Sequence, residues 1–307
     1  MDTKNLSALA LLPRVRIQNA NIISSPLTWG FPAITNFLGA AHKIDRDLDP
    51  PVTIASVGVV CHKFQPQVSR EPGAYSNRLH LYRMPVNKDG SAASRVDEGR
   101  GHMEISLVLG IEGELEDENE GSKWANLIYE RLMGMRLASG SVLPGNRKAL
   151  WEILPDSWDE KEKVFRKFRH RLLPGFALVE RRDLLAKQLE KYRDKNPDAN
   201  VLDAFLDSSR INWEVERDPA DPEKGIWTRR GRKGWIVPIP AGYRAISKLY
   251  EPGEVKNARD NETPFRFVES LYTLGEWKSP HRISSLNELL WRYDFDEKNG
   301  AYLCVQK

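Results

Sequence analysis

Apolar and polar positions alternate along residues 11–18, where Arg14 and Arg16 flank Val15 and Ile17 in the run LLPRVRIQ. A period of two predicts a strand with one apolar face and one face carrying two guanidinium groups. Ser24, Ser25, Pro26, Gly30 and Pro32 then punctuate the chain and predict a rigid, hydrogen-bonded loop that holds Trp29 and Phe31. Ile34, Phe37, Leu38 and Ala41 follow at helical spacing, with Pro32 suited to the first turn. Gly39 and Ala40 are expected to keep that helix thin where it lies on a sheet.

A second strand is predicted over 53–64 and a third over 103–111, where Met103, Ile105, Leu107, Leu109 and Ile111 share one face. Residues 65–101 between them form a long basic insertion. Residues 78–85 read there as a strand, and Asn87-Lys88-Asp89-Gly90 as a hairpin tip. The insertion is either a projecting hairpin or a mobile surface loop. Six carboxylates crowd residues 112–120 and place that loop away from any phosphate. A helix follows, with Trp124, Leu127, Ile128, Leu132 and Met135 on its core side. Residues 174–181 supply a closing strand, giving ferredoxin-like strand–helix–strand–strand–helix–strand order. Trp158, Phe165, Phe168 and Leu172 predict an additional amphipathic helix. Two more are expected over 183–192 and 201–205, divided by Asn196-Pro197, before strands return at 235–240 and 302–305. Ser285 and Glu288 stand at capping-box spacing.

The predicted fold class is therefore α+β, an RRM-like antiparallel sheet with helices on one face, a hairpin insertion and an elaborated C-terminal region. Residues 1–182 would form the core and 183–307 the helical insertion, basic hairpin and last strands. A chain of 307 residues can bury a large core, and its mean hydropathy of −0.53 indicates a soluble globular protein. No apolar run approaches a membrane span and no signal segment is visible, so a cytoplasmic protein is expected. Cys61 and Cys304 both lie in strand-like apolar runs and read as buried thiols. The net charge of +3 is too small for a protein that grips nucleic acid over its whole surface, so any such site is local.

Arg229, Arg230, Arg232 and Lys233 form the densest local charge, flanked by Trp227 and Trp235. Arginine beside tryptophan suits base stacking, and a solvated hairpin tip is the other reading. In residues 135–145, MRLASGSVLPG, small residues offer successive amides to a phosphate with Arg136 as counter-charge; a helix C-terminal turn is the alternative. Arg166, Lys167, Arg169, His170 and Arg171 form a basic helical end, and Pro280, His281 and Arg282 a tight turn. Asp45, Asp47 and Asp49 mimic a calcium loop that fails at Pro50 and Ser56. Cys61 and His62 are adjacent on a strand and cannot act as nucleophile and base. The remaining histidines are scattered singly. No metal or cofactor is expected.

An arginine-bearing strand that feeds such a loop and helix suits an RNA-binding sheet. The same block, 11–42, resembles the opening of the handle-binding, Cas five-type subunits of type I-F CRISPR surveillance (Csy) complexes. GVVCHKF (58–64), EGRGHMEISLVLG (98–110), MRLASGS (135–141), LLPGFALVERR (172–182), GWIVPIPAGYRAIS (234–247) and GEWKSPHRI (275–283) fit that family in order. The resemblance implies a non-catalytic subunit that caps the 5′ handle of crRNA. It also implies docking on the large subunit and on the backbone filament subunit, with target DNA held by the assembled complex. In that family a hairpin between sheet strands serves as an RNA-gripping thumb. With the residue patterns above, the candidate RNA-contacting set is Arg14, Arg16, Ser25, Trp29, Phe31, His62, Arg78, Arg83, Arg100, Arg136, Ser139, Gly140, Ser141, Arg229, Arg230, Arg232, Lys233, Tyr243 and Arg244. Two other functions stand beside it. One is a metal-independent endoribonuclease using His80 with Tyr82, or His102, on precursor CRISPR RNA. The other is a protein-only scaffold.

Overall fold

The computed structural model describes residues 5–48, 52–74, 76–83, 86–93, 95–113, 118–194, 196–218, 221–230 and 233–306. Three long strands form its centre: β1 (Ala8–Asn21), β2 (Thr53–Pro66) and β3 (Arg100–Glu112), with helix α1 (Ile34–Arg46) joining the first two. β3 lies between β1 and β2, and every pairing is antiparallel. Helix α2 (Glu118–Met133) leads to the short strands β4 (Gly140–Leu143) and β5 (Leu150–Ile153), which both pair with the outer side of β1. Between them and the next strand stands α3 (Trp158–Phe168).

The strand expected to close the sheet forms as β6 (Phe176–Glu180), but on the opposite flank, where it pairs with β2. The place beside β1 is already filled by β4 and β5, whose four residues each are too few to display a period. Beyond β6 the sheet continues through β10 (Val268–Lys278), β9 (Trp235–Ala245), β12 (Ala301–Val305) and β11 (Arg292–Asp296). With the two-residue strand Arg136–Leu137, which pairs with β4, the sheet has 11 strands among the described residues. Helices α4 (Arg182–Arg193) and α5 (Val201–Ser209) and a separate two-stranded ribbon, β7 (Trp213–Asp218) with β8 (Asp221–Arg229), come between β6 and β9. The short α6 (Leu286–Leu289) is capped by the Ser285 hydroxyl, which accepts from the Glu288 amide.

Both faces of the central strands are covered, each by a different set of helices. On the first face Ala10, Leu12, Ile17, Val59 and Leu107 pack with Phe37, Leu38 and Ala41 of α1 and Ile128 and Leu132 of α2. Gly39 faces solvent, and Ala40 and Ala41 make the close approach instead. The helix starts at Ile34 with Ala33 as its cap, so Pro32 stands just outside the first turn. On the second face Leu9, Leu11, Val60 and Val108 are buried under Phe165 and Phe168 of α3 and Leu286 and Leu289 of α6.

This second cover ends partway along the strands, at an irregularity in β1. Pro13 has no N–H to give a central ladder, so the strand bulges there. The register with β3 shifts between Leu12 and Val15, and Arg14 adopts a left-handed backbone with φ of 55°. Before the bulge both faces of β1 are buried; after it Arg16 and Gln18 are exposed. A matching shift in β2 between Cys61 and Lys63 makes His62 the extra residue. Among the described residues no helix is long and apolar enough to cross a membrane.

Candidate nucleic-acid interface

The register beyond the bulges sets out a polar face on the sheet. Residues paired across antiparallel strands share a face. Arg136, Ser141 and Gln18 therefore form one row, and Leu143, Arg16, Glu104 and Lys63 the next. Arg16, Gln18, Lys63, Gln65, His102 and Glu104 line a shallow hollow of about 240 Å³. Arg14 and Arg16 share this face, as the alternation predicts, but their roles differ. Arg14 pairs with Glu104 at 2.9 Å and donates to the Leu173 and Pro174 carbonyls at 3.4 and 3.3 Å. Arg16 is exposed, tethered only to the Pro144 carbonyl at 2.7 Å. The Lys63 ammonium is exposed and has no partner among the described residues.

His62 is not free to meet a ligand through its nitrogens. Its Nδ1 donates to the Pro174 carbonyl at 2.6 Å, which fixes the tautomer. Its Nε2 then accepts from the Ser106 hydroxyl at 2.7 Å, whose oxygen accepts the Arg14 amide at 3.1 Å. A neutral ring fits this chain of bonds, and burial holds its pKa below the ordinary range. The Pro174 carbonyl and Glu104 oppose that shift, while the charges of Arg14 and Arg147 reinforce it. The network ties β2 and β3 to the turn before β6.

That turn delivers Phe176 to a cleft of about 660 Å³ whose walls come from the 24–33 loop, β2, β6, β9 and β10. Its floor is an edge-to-face network: Phe31 meets Trp277 at 4.9 Å and 85°, and Phe64 at 6.0 Å and 61°. At its rim Trp29, Phe176 and Trp235 are 52%, 45% and 57% exposed. Lys63 and His62 also line it, and among the described residues no carboxylate does. Lys63 borders both this cleft and the polar hollow, so the two are continuous. Trp29 and Phe31 were legible as a held pair. Lys63, Phe64, Phe176 and Trp277 come from distant segments, and only HKF, a cation beside an aromatic, marks them in sequence.

Other candidate residues lie elsewhere or serve the fold. Ser25 is buried, and its hydroxyl accepts from the Leu27 and Thr28 amides and from the Tyr272 hydroxyl while bonding Thr28 Oγ1, so it builds the loop. Arg78 pairs with Glu71 at 2.7 Å and Arg100 with Glu98 at 2.8 Å. Arg83 lies on the strand Leu81–Arg83, opposite Arg95 on Arg95–Asp97; this ladder and that of Val68–Ser69 with Arg78–Leu79 occupy the insertion. Residues 136–143 are neither an amide nest nor a helix turn but a hairpin, with Ala138 and Ser139 left-handed at its tip. Gly140 sits where a Cβ would lie 2.8 Å from Ala20, so it is glycine for packing on β1. Tyr243 and Arg244 are exposed on β9 beyond its proline-containing half, and β6 and β10 stand between them and β2.

The basic cluster divides. Arg232 lies outside the described residues. Arg229 is exposed at the end of β8, and Lys233 at the start of the next segment. Arg230 has an anionic partner within the chain: its Nη2 donates to both oxygens of buried Asp207 at 2.8 and 2.7 Å. Gln188 and Asn212 donate to the same carboxylate at 2.8 Å each. Asp207 thus fastens the ribbon to α4 and α5, and Arg230 is a fastener rather than a ligand site.

Of the groups weighed for RNA cleavage, the Tyr82 side chain lies outside the described residues. Burial pushes the Cys61 thiol up to about 12, so it is no thiolate beside His62. His102 accepts the Asn19 amide at Nδ1 and meets Gln67 at Nε2, both at 3.2 Å. His80 is exposed in the insertion.

Two outcomes follow from these contacts. The unfolded chain protonates His62 as pH falls through about 6.5, before the folded chain does, so stability is complete above that value and declines below it. His42, lowered chiefly by burial, acts in the same direction. Glu162 and Glu180, raised chiefly by burial, act in the opposite direction, so His62→Gln supplies the comparison. Between about pH 7.5 and about pH 5.5 the unaltered chain is expected to lose more of its urea midpoint than the variant, and equal pH dependence of the two contradicts the network. Replacing Arg230 with Glu is expected to cost on the order of 1–3 kcal/mol, a figure tempered by its partial exposure. Arg229→Glu is expected to leave the midpoint unchanged, and equal effects of the two would refute the division.

A family model of CRISPR-associated proteins, Cas_Csy2, matches residues 10–304. The CRISPR-associated protein Csy2 of Pseudomonas aeruginosa (strain UCBPP-PA14) is 46% identical over 316 residues, spanning 98% of this chain and 96% of its own length. With a match from the first strand to the last, the chain belongs to the Csy2 family of CRISPR-associated proteins.

Proposed function

We propose that this CRISPR effector subunit is the non-catalytic RNA-binding member of a type I-F Csy complex, capping the 5′ handle of crRNA in the cytoplasm. The observation that carries the reading is the continuity of a cationic strand face with an aromatic cleft that no carboxylate lines. Phosphate contacts and base stacking are the two interactions that hold single-stranded RNA. The strand–helix–strand–strand–helix–strand order of β1 to β4 supports an RRM-like core within residues 1–182. The paired ladders of the insertion support a thumb that closes over RNA, and residues 183–307 complete the subunit.

Docking on the large subunit and the backbone filament subunit has its own support. One face of the β7–β8 ribbon presents Trp213, Val215 and Trp227 to solvent. Uncovered aromatic surface of this kind is commonly partner surface. Target DNA is engaged through the assembled complex.

The test is fluorescence anisotropy of handle RNA and a scrambled oligonucleotide on the chain bound to its large-subunit partner. Handle RNA is expected to bind more tightly. Arg16→Ala with Lys63→Ala is expected to weaken it and to lower the salt slope by about 0.7 per lost phosphate contact. Equal binding of both oligonucleotides contradicts the reading, and an unchanged slope removes Arg16 and Lys63 from it.

A further inference from the structure

The aromatic cleft is built for a flat ring. The rim pairs meet at steep angles: Phe176 and Trp235 at 72° and 5.7 Å, Trp235 and Trp277 at 51° and 6.2 Å. Neither contact is a parallel stack, so each ring keeps a face that its partner does not cover, and the half-exposed rim rings offer such faces as stacking platforms. Among the described residues the one parallel stack involving a cleft ring, Phe31 on Phe37 at 5.5 Å, lies on the α1 side and not at the rim.

We infer that this cleft holds an unstacked nucleobase of the bound RNA on the rim rings of Trp29, Phe176 and Trp235, with Lys63 on the adjoining phosphate. The inference rests on the RNA reading given above and adds to it a site, a ligand chemistry and the residues. Charge favours a nucleotide: one free ammonium and no carboxylate face the opening. Continuity favours it too, since a strand lying on Arg16 and Lys63 needs only to turn one base inward to enter.

A peptide fits less well. β6 and β10 are paired on both sides, and the free stretch of β2 beyond Cys61 begins at the His62 bulge, which breaks the regular ladder that an added strand needs. The remaining wall, residues 235–240 of β9, carries Pro238 and Pro240, which lack the N–H that such pairing uses. The position of the cleft is fixed by the fold rather than by a flexible loop. Ser25 ties the 24–33 loop to Tyr272 of β10 at 3.0 Å, and His62 holds the turn that carries Phe176.

The experiment walks an abasic residue, and separately 2-aminopurine, through each position of handle RNA in the complex with the large-subunit partner. One position is expected to lose roughly five- to a hundredfold in affinity when abasic, the span of one base stack on an aromatic ring. 2-Aminopurine there is expected to be quenched. Trp29→Ala and Trp235→Ala should flatten the abasic effect and restore fluorescence at that position alone, while Trp29→Phe and Trp235→Phe keep both. Both tryptophans are more than half exposed, so the urea midpoint checks that the variants stay folded. Tight handle binding with no sensitive position overturns the cleft assignment and leaves the RNA reading standing. Loss of partner association in the alanine variants, with an unchanged abasic profile, gives the cleft to a protein and also overturns it. Absence of handle binding by the unaltered complex overturns both.

Discussion

The sheet has more length than its second layer of helices can cover. α3 and α6 bury one face of the first halves of β1 and β2 and of the second half of β3, and the bulges at Pro13–Arg14 and His62 mark where that cover stops. Beyond them the first face still packs against α1 and α2, so the strands remain ordered while the second face is open. The polar rows and the aromatic cleft exist because of that boundary. A proline in a central strand is the local cause. It cannot donate to the ladder, the strand yields one residue, and the arginines that follow are turned to an uncovered surface.

Order on this open surface comes from polar contacts rather than burial. Arg14 and His62 spend their donors on the Leu173–Pro174 turn, Ser106 and Glu104, and so hold in place the strands that bear Arg16 and Lys63. The ribbon and α4–α5 rely on Asp207 in the same way. In each case a candidate ligand residue proves to be a support. The residues left to bind are those that no neighbour satisfies.

Much of the core was legible in the sequence because periodicity there is long. The alternation of Val15 and Ile17, the helical spacing from Ile34 to Ala41 and the apolar faces of β3 and α3 each run long enough to declare their period. Pairing was less legible. β4 and β5, which fill the place beside β1, are too short to show a pattern, so the closing strand was read at Phe176–Glu180, which pairs with β2. The site was legible only in pieces: Arg16, Trp29 and Phe31 stand in one block, but Phe176, Trp235 and Trp277 meet them through tertiary contacts alone. Arg230 looked like a free cation because its partner is Asp207, on a helix that precedes the ribbon.

In the proposed function the RNA lies on the open strand face and in the aromatic cleft. Handle RNA carrying 4-thiouridine, bound to the chain with its large-subunit partner and irradiated, reports that surface directly when the crosslinked peptides are sequenced. Crosslinks are expected in peptides bearing Trp29 and Phe31, His62 to Phe64, and Phe176 or Trp235, with none from α1 or α2. Crosslinks confined to the helical layer, or to the Arg229–Lys233 segment with the cleft untouched, would contradict it.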